Sequence, residues 1–173
     1  MSVYSDRANK VKDKIYIVVG TGRSGTSFIT SCLIKSGVKM LKGGQINLEN
    51  TDFRDVNKKI LKEAGGDGFH PPSKEKIIKA GKKYRDEIKK LIERYKSNLW
   101  GFKDPRTTLT LPAYLDLFDG DVYLICCVRK FDKVVKSMFI NNNNHSLASG
   151  VDFKNLTKEY INRLCDLIKD FGL

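Results

Sequence analysis

Several features that would assign a class of protein at once are missing from the sequence. No apolar run approaches the roughly 20 residues of a membrane-spanning helix, and residues 1–14 are polar, so neither a membrane span nor a signal sequence is expected. The 4 cysteines include the neighbours Cys126 and Cys127, a pattern that fits neither a disulfide framework nor a C-x-x-C metal site. Free thiols in a reducing, cytoplasmic compartment are the expected state.

Acidic residues are also scarce relative to basic ones. The 173 residues include 20 Asp and Glu against 32 Lys and Arg, and the resulting net charge of +12 favours anionic partners. The net charge does not distinguish among a nucleotide, an acidic glycan and a nucleic acid as the anionic partner. With 40% hydrophobic residues and no evident repeat or domain boundary, residues 1–173 are expected to bury one core and form a single domain.

The strongest local signal is an apolar strand that runs into a glycine-rich turn. Residues 15–19 are typical of a buried parallel strand, and helical spacing of apolar residues begins after Thr26. Between them, Gly20, Gly22 and Gly25 allow a tight turn and a close approach of the backbone to an anion. The first N–H groups of the following helix have no helical partner, which predicts a phosphate-binding loop. A tight turn without a ligand is the alternative.

This loop differs from that of a P-loop triphosphatase. The G-x-x-x-x-G spacing is present, but Thr26 and Ser27 stand where that motif has Lys followed by Ser or Thr. The cation of this loop is Arg23, whose guanidinium can place two N–H donors on one phosphate or sulfate.

A second cation follows another predicted strand. Residues 121–128 form an apolar run typical of a buried strand, and Arg129 comes directly after it. The strand would deliver this arginine to the carboxyl edge of the sheet, where open α/β sheets bind ligands. Ser137 lies about two helical turns further on, so its hydroxyl could reach the same anion. A surface arginine and an ordinary helical serine are the alternative.

Together these motifs resemble those of sulfotransferases that use 3′-phosphoadenosine 5′-phosphosulfate (PAPS), most closely the bacterial and viral branch. Residues 100–106, Trp-Gly-Phe-Lys-Asp-Pro-Arg, resemble the family's Trp-Gly-x-Lys-x-Pro-Arg segment, and the three motifs occur in the family's order over about residues 14–165. The resemblance implies that Arg129 and Ser137 hold the 3′-phosphate. It implies that the 5′-phosphosulfate is held by Gly22, Arg23, Ser24, Gly25, Thr26 and Ser27.

The resemblance also implies a reaction, the transfer of a sulfuryl group from PAPS to a hydroxyl of a glycan or small molecule, without a metal. Arg23 would stabilise charge at the transferring group, and Lys103 and Arg106 would assist the sulfuryl group or the acceptor. The family commonly has a Glu or His base after the first helix. Glu49 is the first candidate here and Asp52 the second, because Asp52 could instead cap a helix.

Two features depart from the family's pattern. Phe131 stands where the family often has proline, a difference that affects the backbone turn at this position rather than the anion site. Family members usually continue into a further strand and a basic loop that closes over the nucleotide, and nothing similar follows Phe171. We therefore expect one of three cases: a compact variant, a fragment, or a chain that supplies half of a site completed by an oligomer or another partner. We also expect the chain alone to transfer sulfate poorly.

The predicted elements form a three-layer α/β domain of the P-loop type, with a small, mainly parallel sheet and helices on both faces. Strands are predicted at about 14–20, 99–103 and 121–128. Helices are predicted from residue 26 to a stop at Gly37 and at 52–63, 73–97, 109–118, 133–140 and 156–168. Loops are predicted at 40–51 and 141–144, and His145 beside the latter is expected to be exposed rather than catalytic.

Two other functions fit part of this pattern. A P-loop kinase or triphosphatase would share the fold, but the loop lysine is missing and residues 126–129 read Cys-Cys-Val-Arg where a magnesium-binding acid would stand. A basic nucleic-acid-binding module would explain the charge but neither anion motif. A nucleotide donor is therefore the expected partner, and nucleic acid is not.

Overall fold

Four parallel strands form the central sheet of the protein, whose computed structural model describes residues 12–41, 47–142 and 148–172. In spatial order the strands are β2-β3-β1-β4. Their bounds are Lys14–Gly20 for β1, Lys39–Met40 for β2, Leu99–Lys103 for β3 and Asp121–Cys127 for β4. The strands predicted at 14–20 and 99–103 are confirmed. The short strand β2 is an addition, and its Met40 belongs to a segment predicted as a loop.

Seven α-helices lie within the described ranges. They are α1 (Thr26–Lys35), α2 (Thr51–Glu63), α3 (Lys74–Gly81), α4 (Arg85–Tyr95), α5 (Thr107–Thr110), α6 (Phe131–Asn142) and α7 (Phe153–Asp170). Three short 3₁₀ turns cover Lys82–Tyr84, Leu111–Ala113 and Leu115–Leu117.

The alternating side chains of β1 contact two separate cores, as the two-residue period of a strand requires. Ile15 and Ile17 pack in the larger core, to which α2, α3, α4 and α7 contribute. Val18 faces a smaller core on the other side, against Leu33 of α1. Helices therefore cover both faces of an all-parallel sheet, and the three-layer α/β fold predicted from the sequence is confirmed.

Strand β4 is not the buried strand that its apolar sequence predicts. It is the last strand in the sheet order and pairs with β1 alone among the described strands. Most of its side chains are only half buried, and Tyr123 is 42% exposed. The sequence reports the apolar character of a strand but not the number of its neighbours, so an edge strand of this composition resembles a central one.

The long helix predicted at 73–97 is two helices, α3 and α4, joined by a 3₁₀ turn. Gly81, at the end of α3, packs directly against Ala113, and a β-carbon at residue 81 would overlap that of Ala113. Helix α3 ends at this glycine, a poor helix former, and Tyr84 at the end of the 3₁₀ turn leaves the helical region with φ −104°.

The prediction of a single helix at 109–118 is also wrong. Helix α5 ends at Thr110, and two 3₁₀ turns follow it. Pro112 supplies no N–H donor to a helix, and Tyr114 leaves the helical region with φ −149°.

The remaining differences concern element ends. Helix α6 extends to Asn142, so Asn141 is helical rather than part of the predicted polar loop. Helix α7 begins at Phe153 because Asp152 caps it by accepting hydrogen bonds from the N–H groups of Lys154 and Asn155. Residues 42–46 and 143–147, with the glycines of the predicted 40–51 loop and His145, lie outside the described residues.

We expect Gly81→Ala to destabilise the protein by about 1–3 kcal/mol, because the added methyl group overlaps Ala113 and outweighs the better helix propensity of alanine. Urea unfolding followed by circular dichroism measures the change. The double variant Gly81→Ala/Ala113→Gly should recover most of the loss, since it restores the space. An unchanged stability of the single variant would contradict the contact.

Candidate functional site

The loop between β1 and α1 has the strand–turn–helix form that the glycine spacing predicts. Arg23 and Gly25 both lie in the left-handed region, with φ 69° and 100°. This conformation is uncommon for a residue other than glycine and is concentrated at binding sites. No side chain caps the start of α1. The N–H groups of its first turn are therefore directed toward the loop with the positive end of the helix dipole.

The structure brings together the two cation motifs that the sequence analysis identified separately. The Nε of Arg23 donates to the hydroxyl of Ser137 at 3.0 Å, although the two residues are 114 positions apart. The Nη1 of Arg129 donates to the backbone carbonyl of Arg23 at 3.2 Å. The carboxyl end of β4, the middle of α6 and the glycine loop thus meet at one edge of the sheet.

A cavity of about 280 Å³, here called the loop pocket, opens at this edge. Its charged lining residues in the described part of the chain are three cations and one carboxylate. All the lining residues are Gly22, Arg23, Gly25, Thr26, Ser27, Asn47, Glu49, Lys103, Pro105 and Arg129. The predicted loop residue Ser24 is buried outside the pocket, where its hydroxyl donates to the carbonyl of Thr21 at 2.8 Å and shapes the turn.

Lys103 and Glu49 form the inner wall of the loop pocket. The side chain of Lys103 is only 1% exposed, and its Nζ lies 3.6 Å from Glu49 Oε1 and 3.5 Å from the hydroxyl of Ser27. It also donates to the carbonyl of Asn47. Burial lowers the pKa of Lys103 below its ordinary value, although Glu49 and Asp104 act in the opposite direction. The other oxygen of Glu49 lies 3.6 Å from Arg106 Nη1, so this carboxylate lies between two cations.

A buried polar network surrounds Asp104, which lies between Lys103 and Arg106 in the chain. The Asp104 carboxylate is fully buried and accepts hydrogen bonds from Arg106 Nη1 at 2.7 Å and from Asn57 Nδ2 at 2.8 Å. The Asn57 carbonyl oxygen accepts from the hydroxyls of Thr110 and Tyr114 at 2.7 and 3.0 Å. Helix α2 is thereby fastened to the segment that follows β3.

A separate contact fastens the end of β1 to α5. The backbone N–H of Gly20 donates to the Thr108 hydroxyl at 2.9 Å, and the same hydroxyl donates to the Gly20 carbonyl at 3.1 Å. The last residue of the strand before the glycine loop is therefore fixed relative to the Lys103 segment.

Sequence reasoning did not identify Asn57. The signal was present, because Asn57 occupies the apolar face of α2, one helical turn after Phe53 and one before Leu61. A polar side chain on such a face must find a partner inside the protein. Its partner, Asp104, lies 47 residues away in the chain.

The structure does not bring Asp52 to the loop pocket. Its carboxylate accepts from Arg94 Nη1 at 3.2 Å and from the Tyr95 hydroxyl, and that hydrogen bond raises the pKa of Tyr95. The alternative role of helix cap is also wrong for Asp52. Asn50 caps α2 by accepting from the Phe53 N–H at 2.8 Å.

A second cavity of about 400 Å³, here called the side cavity, continues from the loop pocket. The two share Gly22, Arg23, Asn47, Glu49 and Pro105. Arg106, predicted to assist the sulfuryl group or the acceptor, lines the side cavity rather than the loop pocket. Its remaining lining residues, which sequence reasoning missed, are Gly68, Phe69, Met138, Asn141, Leu156 and Tyr160.

Comparisons of the chain with protein-family models, curated proteins and solved structures find no match. Within the described ranges, no helix combines the length and apolar character needed to cross a membrane. The same ranges contain no group of three or more His, Cys, Asp or Glu side chains that could hold a metal ion.

We expect Asn57→Ala to reduce the free energy of unfolding by about 3 kcal/mol, because it leaves the buried Asp104 carboxylate and the Thr110 and Tyr114 hydroxyls short of a partner. Guanidinium unfolding measures the loss. Asn155→Ala is the matched control, because the Asn155 amide bonds to Asp152 at the exposed start of α7, and a change below about 1 kcal/mol is expected. Equal losses in the two variants would contradict the importance of the network.

Proposed function

We propose that this protein is a sulfotransferase that moves a sulfuryl group from PAPS to the hydroxyl of an acceptor. The observation that carries the proposal is the convergence of Arg23, Arg129 and Ser137 around one glycine loop at the carboxyl edge of a parallel sheet. These residues come from separate motifs that resemble the sulfotransferase pattern. The surplus of cations in the loop pocket also suits a donor that carries several negative charges.

The loop would bind the sulfated end of the donor. The first-turn N–H groups of α1 and the hydroxyls of Thr26 and Ser27 are the proposed ligands of the 5′-phosphate. Arg129 and Ser137 are the proposed ligands of the 3′-phosphate. The Ser137 oxygen accepts from Arg23, which leaves its O–H free to donate to a phosphate oxygen.

The transfer step would use Glu49 as the base. The acceptor hydroxyl gives its proton to Glu49 while its oxygen bonds to sulfur, and the bond from sulfur to the 5′-phosphate oxygen breaks. Adenosine 3′,5′-bisphosphate leaves with an added negative charge on that oxygen. Arg23 and Lys103 are the proposed stabilisers of this charge, and the low exposure of Lys103 would strengthen its effect.

We infer that this reaction needs no metal, because arginine and lysine side chains supply the positive charge at the proposed transfer site. A cytoplasmic location is also part of the proposal. It is supported by the four cysteines, which are free thiols in the structure.

We expect Arg129→Ala to weaken binding of adenosine 3′,5′-bisphosphate by about 1.5–3 kcal/mol, with a much smaller effect on adenosine 5′-monophosphate. The reason is that Arg129 is assigned to the 3′-phosphate, which the monophosphate lacks. Ser137→Ala should show the same preference with a smaller loss. Isothermal titration calorimetry without added metal measures the affinity of the parent and of both variants for each nucleotide.

Lys89→Ala is the matched control, since it removes one exposed positive charge from α4. It should leave both affinities nearly unchanged. If Arg129→Ala weakens the two nucleotides equally, the assignment of the 3′-phosphate is wrong. If the parent protein binds neither nucleotide, the proposed function is wrong.

We expect Glu49→Gln to bind adenosine 3′,5′-bisphosphate normally but to transfer sulfate on the order of 10²–10⁴-fold more slowly, because the amide cannot accept the acceptor's proton. Transfer of radiolabelled sulfate measures the rate. Asp52→Asn is the control and should retain the parent rate, since Asp52 contacts Arg94 and Tyr95 instead. A slow Asp52→Asn and a fast Glu49→Gln would reverse the assignment.

A further inference from the structure

One surface of α6 exposes large apolar side chains. Phe139 is 58% exposed and Ile140 is 65% exposed. Val135 and Phe131 lie one and two helical turns before Phe139, on the same side of the helix, and both are half buried. These four side chains, here called the α6 patch, line a cavity of about 420 Å³.

The ring of Phe139 is held in its exposed position by α7. It packs edge-on against the ring of Phe153, with 6.4 Å between the ring centroids and 87° between the planes. Phe153 is buried and belongs to the larger core. The exposure of the α6 patch is therefore a consequence of how α6 packs on α7.

Cations border the α6 patch. Lys136 and Lys154 line the same cavity, and Asp132 is the one acidic side chain of its described lining. Lys130, directly before α6, and Lys133, in its first turn, are also exposed. Within the described ranges none of these four lysines belongs to an ion pair, so their charges are available to a partner.

An apolar surface bordered by lysines is complementary to a membrane that contains anionic lipids. The apolar side chains enter the boundary between headgroups and acyl chains, while the lysine amines stay at the level of the anionic headgroups. A second copy of the chain fits less well, because a symmetric contact would bring the lysines of the two copies together. A nucleic acid would attract the lysines but leave the aliphatic side chains of Val135 and Ile140 without an apolar partner.

We propose that the α6 patch binds the surface of a membrane that contains anionic lipids, with Phe139 and Ile140 inserted among the headgroups and the bordering lysines on the lipid anions. The inference rests on the α6 patch and not on the proposed function. Because Ser137 of the same helix bonds to Arg23, the bound protein would hold the loop pocket near the lipid surface.

The test is flotation of the full chain with vesicles of phosphatidylcholine alone, or of equal parts phosphatidylcholine and phosphatidylserine. The parent should bind the mixed vesicles at least about tenfold more tightly, because each lysine near an anionic surface contributes about fivefold. Phe139→Ser/Ile140→Ser should weaken binding to the mixed vesicles about tenfold or more, since two apolar side chains no longer enter the lipid. Lys133→Ala/Lys136→Ala should weaken it about tenfold or more through the lost charge.

Each variant has a matched control. Phe28→Ser replaces a side chain that is 71% exposed on α1, and α1 packs on the opposite face of the sheet from α6. Lys89→Ala/Lys90→Ala removes two exposed positive charges from α4. Both controls should keep the parent affinity for the mixed vesicles.

Equal affinity for the two vesicle compositions, or binding to neither, would overturn the proposal. Equal losses in the patch variants and their controls would do the same. If thermal melting shows that Phe139→Ser/Ile140→Ser does not fold, unchanged binding by Lys133→Ala/Lys136→Ala overturns the proposal instead.

Two further measurements address the other partners. Analytical ultracentrifugation that finds a dimer broken by the patch variants would assign the α6 patch to a second copy and overturn the proposal. Binding of an oligonucleotide that depends on Lys133 and Lys136, without binding to vesicles, would also overturn it. No nucleotide donor enters the flotation test, so a failure of the proposed function leaves its result intact.

Discussion

The Asp104 carboxylate is fully buried, and a charge in that position is tolerated because Asn57 and Arg106 donate hydrogen bonds to it. Asp104 follows the last residue of β3, so its bonds fix the backbone from which Lys103 and Arg106 extend. Both of those cations contact Glu49. The geometry of the candidate site and the packing of α2 on the sheet therefore depend on the same few hydrogen bonds.

The charges of the site are arranged so that most of them have a partner before any ligand arrives. Glu49 lies 3.6 Å from both Lys103 and Arg106, which reduces the penalty of burying all three groups. Arg23 and Arg129 also line the loop pocket, and both residues are exposed. The pocket thus has an inner wall of neutralised charge and an outer rim of excess positive charge.

Local features of this fold could be predicted from the sequence, and long-range ones could not. The glycine loop between β1 and α1 is encoded by adjacent residues, and so is the arginine at the end of β4. The Asn57–Asp104 pair is not, because its two members lie in different elements, and Asp104 stands at a position that the Trp-Gly-x-Lys-x-Pro-Arg motif leaves open. The same holds for the edge position of β4 and for the contact of Gly81 with Ala113, both of which depend on neighbours distant in the chain.

The hydrogen bonds between Arg129, Arg23 and Ser137 also affect the energetics of ligand binding. A long arginine side chain that moves freely loses conformational entropy when it closes on a ligand, by roughly 0.5–1.5 kcal/mol for each immobilised chain. Here Arg23 and Arg129 are already held by contacts within the protein. Much of that ordering is complete once the chain has folded, so the arginine side chains that an anion would contact are already preorganised. The affinity for the anion then depends mainly on charge and fit.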